Sequence, residues 1–528
     1  MTNSIREIQD AMTLFVIGSN TTEAHPVISY YMKRAVKKGG KLIVCDPRRI
    51  DLVRWATIHV QHRVGTDVAL LNGLMNEILL KGWVARDFVE KHTENFEALQ
   101  KIVEKYPVEK AAGITGVDAD LLREVARILG TGGPTSLCYT LGITEHTCGT
   151  DNVHSCANLQ MLLGNMGSYA AGVNALRGQN NVQGACDMGA LPNVYHNYQR
   201  VGDPAARARF EKGWGRPDLP DREGLRMPAM FSSMPGGRVR ALVCHGENVV
   251  MSEPHMAHTR RCLEALEFLA VLDIFENETT PYADVIFPCR SWSEADGTFT
   301  NTERRVQRVR AAVPPPGESR DAWWVVEELG KRLGFDMGFT SPRSVWEDMR
   351  ALATSYAGIT WERIEGDGLQ WPVPTLEHPG VPYLHRDGNF TRGRGLFQPA
   401  EWRPPAEVPD SSYPLVLTTG RRLWHYHTGT QTRNCAGFDE IFGEELVEIS
   451  PEDARDLGIA DGEYVDVVSR RGRVRMKAWV TTRSPRGVVW SCFHFREACI
   501  NEVTNDAFDP VTETAEYKAC AVRIERAG

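Results

Sequence analysis

Thr13-Leu14-Phe15-Val16-Ile17-Gly18-Ser19-Asn20 and, after a segment of helical spacing, Lys41-Leu42-Ile43-Val44-Cys45-Asp46-Pro47 decide the fold of this chain. Each is an apolar run stopped by turn residues, and two such runs joined by a helix read as strand, crossover helix, strand of a parallel sheet buried on both faces. Downstream, Thr66-Asp67 is placed to cap a helix in which Leu70, Leu71, Leu74, Met75, Ile78 and Leu79 recur at three- and four-residue intervals. Leu121, Leu122, Val125, Ile128 and Leu129 repeat the pattern, and the alternation predicts a doubly wound α/β domain. It resumes beyond the Gly-rich residues 164–189, with strands expected at 241–244, 269–272 and 285–287 and a helix at 321–333, which predicts a second α/β domain.

Residues 371–414 hold many prolines and little periodicity, and read as a long connection wrapping a surface. From Leu415 onward short strands take over, at 415–418, 446–449, 464–468, 474–480 and 488–491, with turns at Asp461-Gly462 and Arg471-Gly472. Arg473, Arg475 and Lys477 alternate with Val474, Met476 and Ala478, so one face is wet and a small β-barrel is the natural closure.

Of the 528 residues 42% are hydrophobic and 24% charged, as in ordinary globular proteins, and 60 Lys plus Arg against 68 Asp plus Glu leave a net charge of −8. No window carries the basic cluster of a nucleic-acid groove, which argues against a nucleic-acid partner. The mean hydropathy is −0.32 and the apolar runs are short, whereas a membrane span needs roughly 20 apolar residues. Residues 1–10 lack the basic-then-apolar pattern of a secretory signal and read as the first turns of a helix. Twelve Cys are scattered with no two separated by two residues, which reads as buried thiols in a reducing compartment, so a cytoplasmic protein is expected.

No G-x-G-x-x-G follows the first strand, so an NAD-binding reading starts weak. Asp46 sits at the carboxyl end of the second strand, where an acid accepts hydrogen bonds from a nucleotide; by itself Asp46-Pro47 reads more readily as the strand's stop. Gly172-Val173-Asn174-Ala175-Leu176-Arg177-Gly178-Gln179-Asn180-Asn181-Val182-Gln183-Gly184-Ala185-Cys186-Asp187-Met188-Gly189 is too polar and Gly-rich for a core. Its amides at 174, 179, 180, 181 and 183 offer paired donors and acceptors, and its glycines allow close backbone approach to a large polar ligand. Arg177 has the chemistry to grip a carboxylate in a bidentate fork, although a lone loop Arg is more often a solvated surface residue. Thr418-Thr419-Gly420-Arg421-Arg422-Leu423-Trp424-His425-Tyr426-His427-Thr428-Gly429-Thr430 suits a phosphate- and pterin-sized ligand, whereas metal ligation by His425 and His427 would need a third ligand. Asn501 and Tyr517-Lys518 read alone as exposed polar residues.

Together these segments, with Val243-Cys244-His245-Gly246-Glu247-Asn248, Ala283-Asp284-Val285-Ile286-Phe287-Pro288 and Glu516-Tyr517-Lys518, resemble the catalytic subunits of formate dehydrogenases within the molybdopterin oxidoreductase family, over essentially the whole chain. The resemblance implies two Rossmann-like α/β domains, 1–179 and 180–384, followed by a linker and a six-stranded double-psi β-barrel in 385–528. It implies two pyranopterin guanine dinucleotides clamping molybdenum or tungsten, with formate and CO2 as substrate and product. One dinucleotide would be held by Gly18, Asn20, Asp46, Arg48, Gly65 and Asp67, with Gly142, Gly178 and Gln179 also at the cofactor; the other by Gly246, Glu247, Asn248 and Asp273. Arg421, His425, Tyr426, His427, Asn501, Tyr517 and Lys518 would cover the pterins, and Arg177 would be the catalytic residue that orients formate. Electrons would leave through a [4Fe-4S] cluster to iron-sulfur or flavin partner subunits.

The chain departs from that family pattern in carrying neither the four cluster cysteines nor the Cys- or selenocysteine-His pair that ligates the metal, so roughly the first fifth of such a subunit is missing. A selenoprotein read from the Met after its UGA codon would give this start; a separate polypeptide bearing the cluster, or deliberate trimming, are the alternatives. Two other functions are carried: a nitrate reductase-like enzyme on the same cofactor, against which Leu176-Arg177-Gly178-Gln179 speaks, and a metal-free electron-transfer scaffold, against which the retained pterin cradle speaks. The isolated 528-residue chain is expected to show no formate-dependent viologen reduction, and measurable reduction would overturn that expectation.

Overall fold

The computed structural model describes residues 1–527, which form two compact units. The first comprises Met1–Gly178, Met251–His258 and the chain from Tyr383 on; the second comprises Gln179–Val250 and Thr259–Pro382. No helix among the described residues is long and apolar enough to cross a membrane.

In the first unit, β1 (Thr13–Ile17), β2 (Lys41–Cys45), β3 (Ile58–Val60), β5 (Thr135–Tyr139) and β6 (Val173–Ala175) form a parallel sheet in the order β3-β2-β1-β5-β6, while β4 (Thr93–Glu94) pairs outside it. Thr13 is in register with Lys41 on one side and Thr135 on the other. Every residue of β1 is buried, and its side chains alternate between two cores. Phe15 and Ile17 join Ile43, Leu137, Leu71, Leu74, Leu122 and Val125 under the helices Asp67–Leu80 and Ala119–Thr131. Leu14, Val16, Leu42 and Val44 turn the other way, onto Ile28, Met32 and Ala35 of helix Pro26–Lys37. An unbroken apolar run is thus what a three-layer α/β/α sandwich requires, each fully buried aliphatic side chain contributing about 1.5–3 kcal/mol.

Two local expectations are corrected. Residues 1–10 form only a 3-10 turn, Ile5–Asp10, because the preceding residues are tied to β6: Thr2 N donates to Val173 O at 2.9 Å and Asn3 N to Asn174 Oδ1 at 3.2 Å. Thr66 precedes its helix but does not cap it, since its hydroxyl donates to Arg63 O at 2.6 Å. Asp118, by contrast, caps Ala119–Thr131 by accepting from Asp120 N and Leu121 N.

The carboxyl-terminal barrel belongs to the same unit. Its closed order is Leu415–Thr419, Val488–Ser491, Leu446–Ile449, Arg473–Val480, Tyr464–Val468, Cys520–Arg526, with the first pair and the pair 446–449 with 473–480 parallel. Cys520–Arg526, absent from the strands read along the sequence, closes the wall by pairing with 415–417 and 464–468. Residues 383–414 do more than wrap a surface. Gly395–Leu396 pairs with β4, Phe397 is fully buried, and buried amides replace the missing ladder: Asn72 Nδ2 donates to Ala400 O, and Asn158 both donates to Gln398 O and accepts from Gln398 N.

The second unit contains a smaller parallel sheet, Ala241–His245, Phe268–Asp273 and Val285–Pro288, and an antiparallel set, Gly297–Thr300, Arg305–Val309 and Leu369–Gln370. Helix Ala322–Arg332 lies where the sequence predicts one.

Asn158→Ala leaves both Gln398 backbone groups without partners, at a cost of about 1–3 kcal/mol each. It is expected to speed limited proteolysis within 394–404 several-fold, whereas removing the remote Asp118 cap is expected to leave that cleavage unchanged.

Candidate functional site

The order of the first sheet reverses at β1, and ligands of such sheets bind outside the carboxyl ends of the strands at that point. Gly18 stands there with φ +56°, its N–H donating to Cys45 O at 3.0 Å and its carbonyl accepting from Gly142 N at 3.1 Å and Thr140 Oγ1 at 2.7 Å. A Cβ on Gly18 would lie 2.7 Å from the Gly142 carbonyl carbon, so the turn requires glycine on both sides. Asn20 follows; its Oδ1 accepts from Thr22 Oγ1, while its Nδ2 is buried with no partner in the protein.

At the end of β2, Asp46 accepts from Arg48 N at 2.8 Å, and burial raises its carboxyl above the ordinary value in spite of the Arg48 charge. The Arg48 guanidinium is spent elsewhere in the unit. It makes a buried bidentate pair with Glu448 of the barrel, Nε to Oε2 at 3.0 Å and Nη2 to Oε1 at 2.6 Å, and lies 3.8 Å over the Trp490 ring. Burial pushes the Glu448 carboxyl up, but Arg48 and then Arg483 more than reverse it. Asp67 likewise has a protein partner, His62 Nε2 at 3.0 Å, both side chains being buried. Burial disfavours both charges, yet their mutual attraction raises the His62 value and lowers that of Asp67. Gly65 packs under a proline: a Cβ there would meet Pro405 Cγ at 2.4 Å.

The barrel loop expected to cradle a ligand is internally braced. His425 Nε2 lies 2.7 Å from Phe442 O and its Nδ1 3.2 Å from Thr432 Oγ1. His494 Nδ1 bonds the His427 carbonyl and its Nε2 accepts from Arg422 N at 3.2 Å. His427 has φ +52°, and burial, then Arg421, push its imidazole down to about 3, so it is neutral. Tyr426 is exposed, while Arg421 lies 4.5 Å over Phe493 and its Nη1 is buried without a protein partner.

Asn501, Tyr517 and Lys518 turn out to be clamps. Asn501 Nδ2 donates to Met251 O at 2.8 Å, Tyr517 hydroxyl to Ser252 O at 2.9 Å, and Lys518 Nζ pairs with Glu145 at 2.7 Å. Sequence reading missed the acids that serve the same unit. Glu516 accepts from Thr147 N and Ala406 N, and Asp509 from Thr150 N at the start of helix Gly149–Leu162. Glu448 carried a signal, an acid within the apolar run 446–449.

The polar Gly-rich stretch spends most of its amides on structure, which corrects its reading as a ligand cradle throughout. In the first unit Asn174 is fully buried and donates to Ser136 Oγ. In the second, Asn181 Oδ1 accepts from Thr300 N, and Gln183, Tyr198, Tyr356 and Trp371 all donate to Asp187 on the short helix Val182–Asp187. Gly178 meets nothing within 4 Å of a Cβ position, and Val182 N reaches Gln179 O at 3.5 Å. Gly246, with φ +65°, is equally open. Glu247 O accepts from Cys244 Sγ, Asn248 Nδ2 donates to Glu278 at 2.7 Å, and Asp273 accepts from Ile274 N and Asn277 Nδ2 while burial raises its carboxyl.

Among the buried donors of the first unit that meet no hydrogen-bond acceptor in the protein are Asn20 Nδ2 and Arg421 Nη1, both on segments that carry motif residues. Buried donors are rarely left unbonded, since each costs about 1–3 kcal/mol, so they fit a ligand rich in acceptor oxygens and ring nitrogens.

The chain is similar to two family profiles: Molybdopterin oxidoreductase over residues 1–332, and Molydopterin dinucleotide binding domain over residues 415–521. F420-dependent formate dehydrogenase subunit alpha of Methanocaldococcus jannaschii is 44% identical over 100% of this chain and 78% of its own length. Formate dehydrogenase H of Escherichia coli is 37% identical over 99% of this chain and 74% of its own. Among solved structures, acetylene hydratase from Pelobacter acetylenicus matches with a TM-score of 0.75 at 20% identity over 100% of this chain and 81% of its own, a likeness of fold.

The His62–Asp67 pair generates a pH signature. The His62 contribution is complete below its unfolded value of 6.5 and is lost as pH rises through the higher folded value; the Asp67 contribution is complete above 3.8 and is lost as pH falls through the lower folded value. The melting temperature of His62→Gln is expected to fall below that of the unaltered chain by on the order of 5 °C between about pH 4 and 6.5, the gap narrowing on either side.

Proposed function

This chain belongs to the molybdopterin oxidoreductase family, and from that premise we propose that it is the pterin-binding core of a formate dehydrogenase, converting formate to CO2 with release of two electrons and a proton, or running the reverse. The full-length likeness to formate dehydrogenase subunits carries this reading. A molybdenum or tungsten centre on two pyranopterin guanine dinucleotides, when bound, supplies the two-electron acceptor.

Gly18 and Asn20, with Asp46, Arg48, Gly65, Asp67 and Gly142 shaping the turn and strand ends around them, would hold one dinucleotide from the first unit; Gly246, Glu247, Asn248 and Asp273 would hold the other from the second. The open φ of Gly18 and Gly246 and the unmet donor of Asn20 support those assignments. Arg421 would give its free Nη1 to the pterin, the neutral His427 would add a ring without a second positive charge, and His425, Tyr426, Asn501, Tyr517 and Lys518 would keep that wall in place. Gly178 and Gln179 would approach the cofactor by their backbone. Domain limits at 1–179, 180–384 and 385–528 accompany this reading.

Arg177 carries the substrate chemistry. Its planar fork matches a carboxylate, and a cation gripping both formate oxygens fixes the direction of the C–H bond while stabilising the anion where water is excluded. A [4Fe-4S] cluster does not fit these residues: among the described residues no three His, Cys, Asp or Glu gather into a metal-holding group. Electrons would leave through a [4Fe-4S] cluster held outside these residues to iron-sulfur or flavin partner subunits. All twelve cysteines are free thiols, which supports a cytoplasmic location.

In the holoenzyme, Arg177→Lys keeps the charge and loses the fork, and is expected to lower kcat/KM for formate by roughly 100-fold with pterin and metal content unchanged. A loaded wild-type enzyme that reduces nitrate and leaves formate untouched would overturn the substrate.

A further inference from the structure

His25 joins two helices of the first unit. Its N–H closes Thr21–Ala24 by donating to Thr21 O at 2.9 Å, and its carbonyl opens Pro26–Lys37 by accepting from Ser29 N at 3.0 Å. With both backbone groups engaged and Pro26 fixing the next φ, the imidazole leaves from a clamped point. Its Nε2 lies 2.8 Å from the Arg177 carbonyl oxygen. A carbonyl only accepts, so Nε2 carries the proton, and burial favours the neutral ring over the pull of that carbonyl. The other nitrogen, Nδ1, is buried and meets no hydrogen-bonding group of the protein. The imidazole therefore serves a single protein group.

That group is the peptide plane between Arg177 and Gly178. Before it, Leu176 N donates to Tyr139 O at 2.9 Å, continuing the edge of the sheet. After it, Gly178 has open space on its Cβ side and no side chain to pack. The backbone that carries the Arg177 side chain thus passes from ladder to open loop within two residues, and the His25 bond falls on the link between them.

We infer that His25 is the positioning residue for Arg177: its Nε2–H fixes the Arg177 carbonyl and so aims the guanidinium. The role of Arg177 in gripping formate is taken from the function proposed above. A displaced guanidinium first loses one of its two parallel bonds to the anion, which weakens the grip on formate more than it slows the chemistry. Gln at position 25 has an Nε2 donor at nearly the same reach as the imidazole Nε2, whereas Leu fills the space and donates nothing.

The test compares wild-type, His25→Leu and His25→Gln holoenzymes with their partner subunits. Formate dissociation constants and KM are measured alongside amide exchange of the peptide spanning 176–180, with metal content and melting temperature as controls. His25→Leu is expected to weaken formate roughly tenfold, to raise KM more than it lowers kcat, and to speed exchange at 176–180 by a similar factor. His25→Gln is expected to stay within about twofold on every measure. Unchanged exchange and affinity in a folded His25→Leu would overturn the inference, as would equal losses in both variants. If the wild type fails to oxidise formate, the proposed function falls by itself, and the exchange comparison still decides whether His25 holds the loop.

Discussion

The pair between Arg48 and Glu448 is the constraint on which the first unit depends. Two charges with side chains 5% and 0% exposed survive away from water only because the contact is bidentate, Trp490 covers the guanidinium, and Ser484 Oγ donates to Glu448 at 2.9 Å. Losing one partner from such a pair costs about 3–5 kcal/mol, far more than a surface bridge. The backbone of Arg48 also fixes Asp46 at the end of β2, so that strand end and the barrel wall share one geometry. A second line of acids, Asp509 and Glu516, ties the chain's last residues to the start of helix Gly149–Leu162.

The fold was legible wherever burial is dictated locally. Thr13–Ile17 and Lys41–Cys45 are apolar on both faces because parallel strands are covered on both, and that pattern needs no knowledge of partners. Arg473–Val480 shows its wet face by alternation. What escaped was decided at a distance. Cys520–Arg526 becomes a strand through pairing with residues 415–417 and 464–468, and 383–414 is held by single amides of Asn72 and Asn158 that look like ordinary polar helix positions. Thr66 misled because a cap and a turn hydroxyl use the same residue type, and the choice lies with Arg63 O.

The site was legible as chemistry more than as geometry. Motif residues gathered at the expected strand ends, yet the structure divides them by occupation. Asn20 and Arg421 keep unmet donors, whereas Arg48 and Asn501 have theirs met inside the protein and the Asp67 carboxylate is answered by His62. No one-dimensional pattern distinguishes the two groups, since the partners Glu448, His62 and Met251 lie from 5 to 400 positions away. Glu448 could have been suspected from its place among Leu446, Val447 and Ile449, where a charge must have a buried answer.

The first unit is interrupted in sequence: its sheet comes from residues 1–178 and its barrel from beyond Tyr383. On the ribosome, the second unit's residues are all synthesised while the first still lacks Glu448, Trp490 and Glu516. Residues 1–178 therefore cannot complete their packing until segments far downstream have been made, and Arg48 stays hydrated until Glu448 and Trp490 follow. The carboxyl end of β2 accordingly stays open to water until the barrel docks beside Arg48.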